Sequence, residues 1–209
     1  MNAARRPLAA VIPVKALDQA KGRLAPALSA RKRRALMLYL LERTVRTAQA
    51  AGIVHGPYVV SPDPDVLAVA AACGAEPLTE TTPGHNAALE QARKHVLATW
   101  PGAALLVIAA DLPSLTSEDV AALGAELLAG PTLTIAPDQR EEGTNVLGIW
   151  PADALPFRFG PASFQRHVAE ATRRGLVIRI HRSPGTAFDL DVPEDLLTLP
   201  GGKPGSWPV

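Results

Sequence analysis

Three positively charged side chains follow the first apolar segment of the chain. The stretch VIPVKALDQAKGRL, residues 11–24, places Lys15, Lys21 and Arg23 behind the run LAAVIPV. Their spacing is too irregular for a single helix face, but it suits a loop folded around an extended anion. A solvated basic surface is the alternative. The segment therefore predicts a binding site for a small anionic ligand.

Acidic side chains stand at two further points where apolar segments end. Asp111 closes the run ALLVIAAD, and Asp189 and Asp191 lie two residues apart in AFDLDVPEDL. In an extended segment such a pair points the same way, and adjacent like charges are unfavourable without a cation between them. The three carboxylates therefore predict an oxygen-only site for a hard cation, with Mg²⁺ as the expected ion. A surface turn that caps the last helix is the alternative for the pair.

A basic loop beside a magnesium site is typical of enzymes that bind a nucleoside triphosphate. The sequence lacks the P-loop pattern G-x-x-x-x-G-K-[ST], and it also lacks the dinucleotide-binding pattern G-x-G-x-x-G. A nucleotide-binding fold of another kind is therefore expected.

Strand-like and helix-like segments alternate along the chain, which is typical of an α/β fold. Strands are predicted at LAAVIPV, PYVVS, ALLVIAAD, TLTIAPD, NVLGIW and LVIRIH. Helices are predicted at residues 29–52, 65–74, 86–100, 117–128 and 163–175, with a last short one from Pro193. We expect a mostly parallel sheet with helices on both faces and NVLGIW as an antiparallel strand. Because ligands bind beyond the carboxyl ends of such strands, the basic loop and the acids should meet at one edge.

Composition limits the kind of protein and the place where it acts. The 209 residues are 47% hydrophobic with a net charge of +1 at pH 7, which favours one domain and argues against a nucleic-acid partner. We expect this domain to span residues 1–199, with residues 200–209 as a flexible tail. The one cysteine, Cys73, excludes a disulfide within the chain, and no apolar run reaches the roughly 18 residues needed to cross a membrane. A cytoplasmic protein without a membrane partner is expected.

Six segments, in chain order, resemble the guanylyltransferases that act in the biosynthesis of the deazaflavin coenzyme F-420. They are VIPVKALDQAKGRL, GHNAALEQA, VIAADLPSL, EEGTNVLGI, FGPASFQRH and FDLDVPEDL, and the match runs from about residue 9 to residue 198. Members of that family transfer GMP from GTP to 2-phospho-L-lactate, phosphoenolpyruvate or 3-phospho-D-glycerate and release pyrophosphate. The resemblance implies the same activity here. It also implies a single-domain, Rossmann-like fold of the nucleotide-diphospho-sugar transferase (GT-A-like) type.

On the nucleotide side, the resemblance implies a metal site and a set of nucleotide contacts. Asp111, Asp189 and Asp191 match the metal-binding acids of the family, in agreement with the carboxylate pattern. The nucleotide contacts match the family less closely. The triphosphate would be bound by Lys15, Lys21 and Arg23, and the nucleoside by Asn86.

On the acid side, Thr144, Gly160 and Ser163 match the positions that hold the phosphorylated acid. Ser163 begins a predicted helix, and the free N–H groups of a helix N-terminus suit a phosphate or carboxylate. A plain N-cap serine is the alternative. Two glutamates precede Gly143, where the family pattern has a small residue, so the identity of the acid stays open. His85 and His167 receive no role.

The implied reaction needs little beyond positioning and charge. The phosphate of the acid is already an anionic nucleophile near neutral pH, since its second pKa is about 6, so no general base is expected. Two other functions stay open: a nucleotidyltransferase for a sugar phosphate or the molybdenum cofactor, and a non-catalytic nucleotide-binding protein. The molybdenum-cofactor enzymes share the aspartate of ADLP, but they have a glycine-rich loop where this chain has PVKALDQAKGRL. The expected partners are GTP and the acid, and a homodimer stays open.

Overall fold

Seven strands form one mixed sheet in the computed structural model of the chain, which describes residues 7–52, 54–128 and 130–197. The strands are β1 (Leu8–Pro13), β2 (His55–Ser61), β3 (Glu76–Thr79), β4 (Ala104–Ile108), β5 (Thr132–Pro137), β6 (Thr144–Trp150) and β7 (Val177–Ile180). Their order across the sheet is β3-β2-β1-β4-β6-β5-β7. β6 runs antiparallel to β4 and β5, and the other neighbouring strands are parallel. The predicted α/β class and the antiparallel strand are confirmed.

Helices cover both faces of this sheet. They are α1 (Ala30–Ala50), α2 (Pro64–Ala72), α3 (His85–Thr99), α4 (Ser117–Leu128), α5 (Ser163–Arg173) and the short α6 (Pro184–Ala187), with 3₁₀ turns at Gly22–Leu24 and Pro193–Leu197. One face packs against α1, α2 and α4, and the other packs against α3 and α5. At the start of α4, Thr116 and Asp119 cap each other's backbone N–H groups, so Thr116 is the N-cap of this helix.

The central strand β1 explains why the first apolar run is continuous. Leu8, Ala10 and Ile12 pack in the layer of α1, α2 and α4, whereas Ala9 and Val11 pack in the layer of α3 and α5. Each of these side chains is fully buried. A parallel strand covered on both faces needs apolar residues at every position, not at alternate ones. This rigid strand fixes the point from which the basic loop begins.

Sequence reasoning missed the edge strand β3. Its four residues pair with β2, and most of their side chains are exposed. A short exposed strand carries neither a continuous nor an alternating apolar pattern, and Pro77 is acceptable there because an edge strand leaves some of its N–H groups unpaired. The sequence therefore gives no apolar pattern for β3, because little apolar area is buried at this edge of the sheet.

Two expectations concern the chain as a whole. The predicted tail, residues 200–209, lies outside the described residues, so the domain boundary stays a prediction. Within the ranges that the structure describes, none of the helices is long and apolar enough to cross a membrane.

Candidate active site

One cleft at the carboxyl edge of the sheet gathers nearly all of the predicted site residues. This main cleft has a volume of about 740 Å³. Every predicted site residue except Asn86 lines it, namely Lys15, Lys21, Arg23, Asp111, Thr144, Gly160, Ser163, Asp189 and Asp191. Because β6 is antiparallel to β4, its first residue, Thr144, lies at the same edge as the last residues of β1 and β4. The structure thus brings these loops together at one edge of the sheet.

Lys21 lies between two of the predicted metal ligands. Its Nζ is 2.5 Å from Oδ2 of Asp111 and 3.0 Å from Oδ1 of Asp191, and its side chain is only 5% exposed. Burial by itself lowers the pKa of Lys21, but the charges and hydrogen bonds of Asp111 and Asp191 outweigh it, so this pKa is raised above its ordinary value. The ammonium therefore stays charged and ties two distant segments together.

The backbone of Lys21 is also unusual. Its φ of 55° lies in the left-handed region, which residues with a Cβ rarely adopt. Such a conformation persists only where the surrounding contacts impose it, and it is common at functional sites. Lys21 immediately precedes the 3₁₀ turn Gly22–Leu24. With this backbone conformation, its Nζ lies beside the two carboxylates. Arg23, in contrast, is largely exposed and approaches Asp191 at 3.5 Å.

Asp189 completes the acidic group. Burial, together with the charges of Asp111 and Asp191, raises its pKa to about 6, so the three carboxylates are close enough to repel one another. Among the described residues, no three or more His, Cys, Asp or Glu side chains form a ready-made metal site. The donor set nevertheless fits a hard divalent cation: all of its atoms are carboxylate oxygens, and Asp111 and Asp191 already share one cation, the Lys21 ammonium.

The opposite side of the main cleft is formed by the start of β6 and the start of α5. Ser163 Oγ donates a hydrogen bond to Thr144 Oγ1 at 3.1 Å, and both side chains are buried. The N-cap of α5 is Ala162, which has a φ of 53° and offers no side-chain acceptor. The alternative that Ser163 is an ordinary N-cap is therefore wrong. Gly160, with a φ of 124°, makes the turn that leads into this helix, which has no side-chain cap.

His167 lies behind Thr144 and is fully buried. Its Nδ1 is 3.2 Å from Thr144 Oγ1, and its Nε2 accepts a hydrogen bond from the backbone N–H of Arg158 at 3.0 Å. Burial, together with the charges of Arg166 and Arg158, lowers the pKa of His167 to about 4, so the ring is neutral at neutral pH. Sequence reasoning assigned this residue no role. The available signal was its spacing, because His167 lies four residues after Ser163 and so on the same face of α5.

Asn86 holds the loop that precedes α5. Its Nδ2 donates to the Phe159 carbonyl at 3.1 Å, and its Oδ1 accepts from the Phe159 N–H at 3.0 Å. The Phe159 ring lies edge-on to His85 and His167, with ring centroids 5.0 and 4.9 Å away. The structure thus gives Asn86 a part in fixing this loop, and its contact with a nucleoside stays a prediction.

A second cavity of about 470 Å³, the side cavity, adjoins the main cleft. It lies beyond β1 and β2 and reaches the start of α3, and Lys15 and His85 line both cavities. Burial, together with the charge of Lys15, lowers the pKa of His85 to about 4. A small-molecule site typically occupies some 300–1,000 Å³, so the two cavities together have room for two ligands side by side.

Solved structures with the same fold are nucleotide-handling enzymes. A nucleotidyl transferase from Methanothermobacter matches with a TM-score of 0.69 and 16% identity, over 92% of this chain and 95% of the other. The glucosyl-3-phosphoglycerate synthase of Mycobacterium tuberculosis, in complex with Mn²⁺, UDP and phosphoglyceric acid, matches with a TM-score of 0.61 and 16% identity, over 92% of this chain and 75% of the other. These likenesses confirm the predicted fold.

Relatives closer in sequence point to one family. Phosphoenolpyruvate guanylyltransferase of Rubrobacter xylanophilus is 46% identical over 91% of this chain and 92% of its own length. The enzyme of the same name from Sphaerobacter thermophilus is 42% identical over 93% of each chain. Residues 8–200 match the family model described as guanylyl transferase, CofC like. The resemblance inferred from six short segments is thereby confirmed: the chain belongs to the CofC-like guanylyl transferase family and is a nucleotidyltransferase.

Proposed function

We propose that this protein transfers GMP from GTP to phosphoenolpyruvate, or to the related acids 2-phospho-L-lactate or 3-phospho-D-glycerate, and releases pyrophosphate in coenzyme F-420 biosynthesis. The observation that carries the proposal is the two-sided main cleft. Acids and cations from the β1 loop, the β4 loop and residues 189–191 form one side, and the start of β6 and the N-terminus of α5, which has no side-chain cap, form the other. Phosphoenolpyruvate is named first because the two relatives above carry it in their names.

The acidic side of the cleft suits the triphosphate and its metal. Asp111, Asp189 and Asp191 would hold Mg²⁺, which supplies positive charge to neutralise the phosphates and the departing pyrophosphate. A protein of the same fold binds Mn²⁺ together with a nucleotide, which supports a divalent ion here. Lys15 is exposed at the junction of the two cavities, where its ammonium can meet a phosphate group that lies between them.

The opposite side suits the phosphorylated acid. The first N–H groups of α5 carry the partial positive charge of a helix N-terminus. That of Phe164 donates to the Glu142 carbonyl at 3.2 Å, and the helix has no side-chain cap. Gly160 allows the turn that brings this helix end to the cleft, and Thr144 adds a hydroxyl. A carboxylate or phosphate bound here would meet these donors, while the acidic residues Asp138 and Glu142 line the same cleft nearby.

The reaction follows from these two pockets. A phosphate oxygen of the acid attacks the α-phosphorus of GTP, a new P–O bond forms, and the bond to the pyrophosphate oxygen breaks. No residue needs to remove a proton from the nucleophile, because the phosphate is largely ionised at neutral pH. Lys15, Lys21 and Arg23 stabilise the negative charge that grows on the pyrophosphate. His85 and His167, with pKa values of about 4, carry no positive charge to add.

Pyrophosphate release tests the proposal directly. The three acids are combined with each of the four ribonucleoside triphosphates in the presence of Mg²⁺, and the product is identified by mass. We expect turnover with GTP and phosphoenolpyruvate, little with CTP or UTP, and a product in which a diphosphate joins guanosine to the acid. Release with CTP or UTP and a sugar phosphate, but not with GTP and any of the three acids, would support the sugar-phosphate alternative instead.

An inactive variant checks that the observed turnover belongs to this site. Asp111→Asn keeps the shape of the side chain but removes the charge proposed to hold the metal, so activity should fall by at least about a hundredfold. Asp153→Asn alters an exposed aspartate outside both cavities and serves as the matched control. Equal turnover in the two variants would remove Asp111 from the proposed mechanism.

A further inference from the structure

His167 has no contact with the main cleft, yet it holds a residue that does. It does not line either cavity, and its ring is fully buried behind Thr144. Its two ring nitrogens make different contacts, one with the Thr144 hydroxyl and one with the backbone of Arg158. Any effect of this ring on a bound ligand must therefore pass through Thr144 or through the Arg158 loop, residues 158–159, whose Phe159 ring packs against His167 and lines the main cleft.

The hydrogen bond from Arg158 fixes the tautomer of His167. The backbone N–H of Arg158 can only donate, so Nε2 must offer a lone pair and carries no proton. In a neutral imidazole the proton then resides on Nδ1, where it faces Thr144 Oγ1 at 3.2 Å. The Ser163 carbonyl also favours a proton on this ring. Nδ1 is therefore a hydrogen-bond donor.

Thr144 Oγ1 consequently receives two hydrogen bonds. One comes from His167 Nδ1–H and the other from the Ser163 hydroxyl, which donates at 3.1 Å. A hydroxyl oxygen has two acceptor lone pairs, so both are used, and its own proton must point to a third partner. Among the described residues no protein acceptor is found for that proton, and Thr144 lines the main cleft.

We propose that His167 is a positioning residue that, together with Ser163, orients the Thr144 hydroxyl as a donor toward an anionic group of the acid substrate. This inference rests on the proposed function, since it concerns the acid side of the same cleft. It assigns the direct contact to Thr144 and makes the Ser163 hydroxyl a supporting group. A donor held in one orientation loses less conformational freedom when the anion binds, which improves binding without any new contact.

Two substitutions at position 167 separate the two contacts of the ring. His167→Asn can place an amide N–H near the position of Nδ1, so it keeps the donor to Thr144 but loses the acceptor for Arg158. His167→Gln reaches the position of Nε2, so it keeps an acceptor for Arg158 but loses the donor to Thr144. We expect the KM for the acid to rise about tenfold or more in His167→Gln and to stay within about threefold of wild type in His167→Asn. The KM for GTP should change little in either.

A double-mutant cycle shows whether the effect passes through the hydroxyl. Thr144→Val removes the hydroxyl and keeps the shape, and Thr144→Ser keeps the hydroxyl as a matched control. In the Thr144→Val background, His167→Gln should add almost nothing to the KM for the acid. Additive effects, or a larger loss in His167→Asn than in His167→Gln, would overturn the proposal and assign the ring to the Arg158 loop.

The tautomer can be measured on the wild-type protein, without any variant that has to fold. Long-range ¹H–¹⁵N NMR spectra distinguish a protonated Nδ1 from a protonated Nε2, and we expect Nδ1–H at pH 7. Protonation on Nε2, or on both nitrogens, would overturn the proposal even if the enzyme is fully active. If Nδ1 is protonated but the protein consumes none of the three acids, the proposed function is rejected while the hydrogen-bond arrangement around Thr144 is retained. The failure of the proposed function can therefore be distinguished from the failure of this inference.

Discussion

At the scale of single residues, Lys21 occupies the space between carboxylates that are proposed to bind a metal. Its ammonium contacts Asp111 and Asp191, and the side chain is nearly buried. A divalent ion that binds the same oxygens must therefore displace Lys21 or share them with it. The displaced ammonium would then be free to contact the triphosphate. Lys21 would thus neutralise the carboxylates before the metal binds and the triphosphate afterwards.

Removing this ammonium should strengthen metal binding by the free protein. In Lys21→Met the carboxylates lose their cation, so the affinity for Mn²⁺, used as a probe for Mg²⁺, should rise about tenfold, which corresponds to about 1.4 kcal/mol. Turnover should fall at the same time, because a cation for the pyrophosphate is lost. Titration calorimetry without nucleotide measures the affinity.

Lys15→Met is the control for this experiment. Lys15 is exposed and lines the main cleft, but it forms no ion pair with the acids in the described part of the chain. Its variant should bind Mn²⁺ as the wild type does and lose turnover only. Weaker Mn²⁺ binding in Lys21→Met than in wild type would mean that Lys21 supports the metal site rather than competes with the ion.

At the scale of elements, the turn that leads into α5 decides where the proposed acid pocket lies. Gly160 has a φ of 124°, which an L-amino acid with a Cβ rarely adopts, although a Cβ built there would meet only Arg166 at 3.9 Å. Gly160→Ala should therefore strain the backbone without creating a steric clash for the added Cβ. The variant should relieve the strain by moving the start of α5, and the KM for the acid should rise about tenfold while that for GTP stays nearly constant.

A second strained glycine provides the comparison. Gly102 also has a positive φ, of 76°, and has open space around it, but it lies between α3 and β4 and lines neither cavity. Both alanine variants should lose about 1 kcal/mol or more of folding stability, as measured by urea unfolding. Only Gly160→Ala should change the acid kinetics. A similar kinetic loss in both would point to general destabilisation and away from the α5 turn.

At the scale of the whole molecule, the main cleft is assembled from segments that span most of the chain, from Lys15 to Asp191. Ligands that bind the folded form alone therefore stabilise the whole domain. At a hundred times its Kd, a ligand contributes about 2.7 kcal/mol, which corresponds to a Tm increase of about 5–10 °C for a chain of this size. GTP with Mg²⁺ and phosphoenolpyruvate should each raise the Tm.

Asp111→Asn should separate these two stabilising effects. It should abolish the Tm increase with GTP and Mg²⁺ but keep the increase with phosphoenolpyruvate, because the acid is expected to bind at Thr144 and α5. Asp153→Asn should retain both increases. If phosphoenolpyruvate raised the Tm of the wild type but not of Asp111→Asn, the acid would depend on the metal side and the two pockets would not be separate.

The sequence by itself determined the parts of this protein that depend on local pattern. The continuous apolar run of β1 required burial on both faces, and the polar residues that follow it had to lie at the carboxyl edge of the sheet. The position of Asp111 after β4 and the pair Asp189 and Asp191 predicted an acidic group, and the structure places Asp111 and Asp191 around one ammonium and all three acids in one cleft. Such features follow from residue type and spacing alone.

Only the tertiary structure decided how individual polar groups are used. It placed the Lys21 ammonium between Asp111 and Asp191, which are 90 and 170 residues away in the chain. It turned the Ser163 hydroxyl toward Thr144 and placed His167 behind both. A hydrogen bond depends on positions to within a few tenths of an ångström, and those positions are set by the packing of distant segments. Sequence spacing can bring such groups to one edge of the sheet, but it cannot assign their partners.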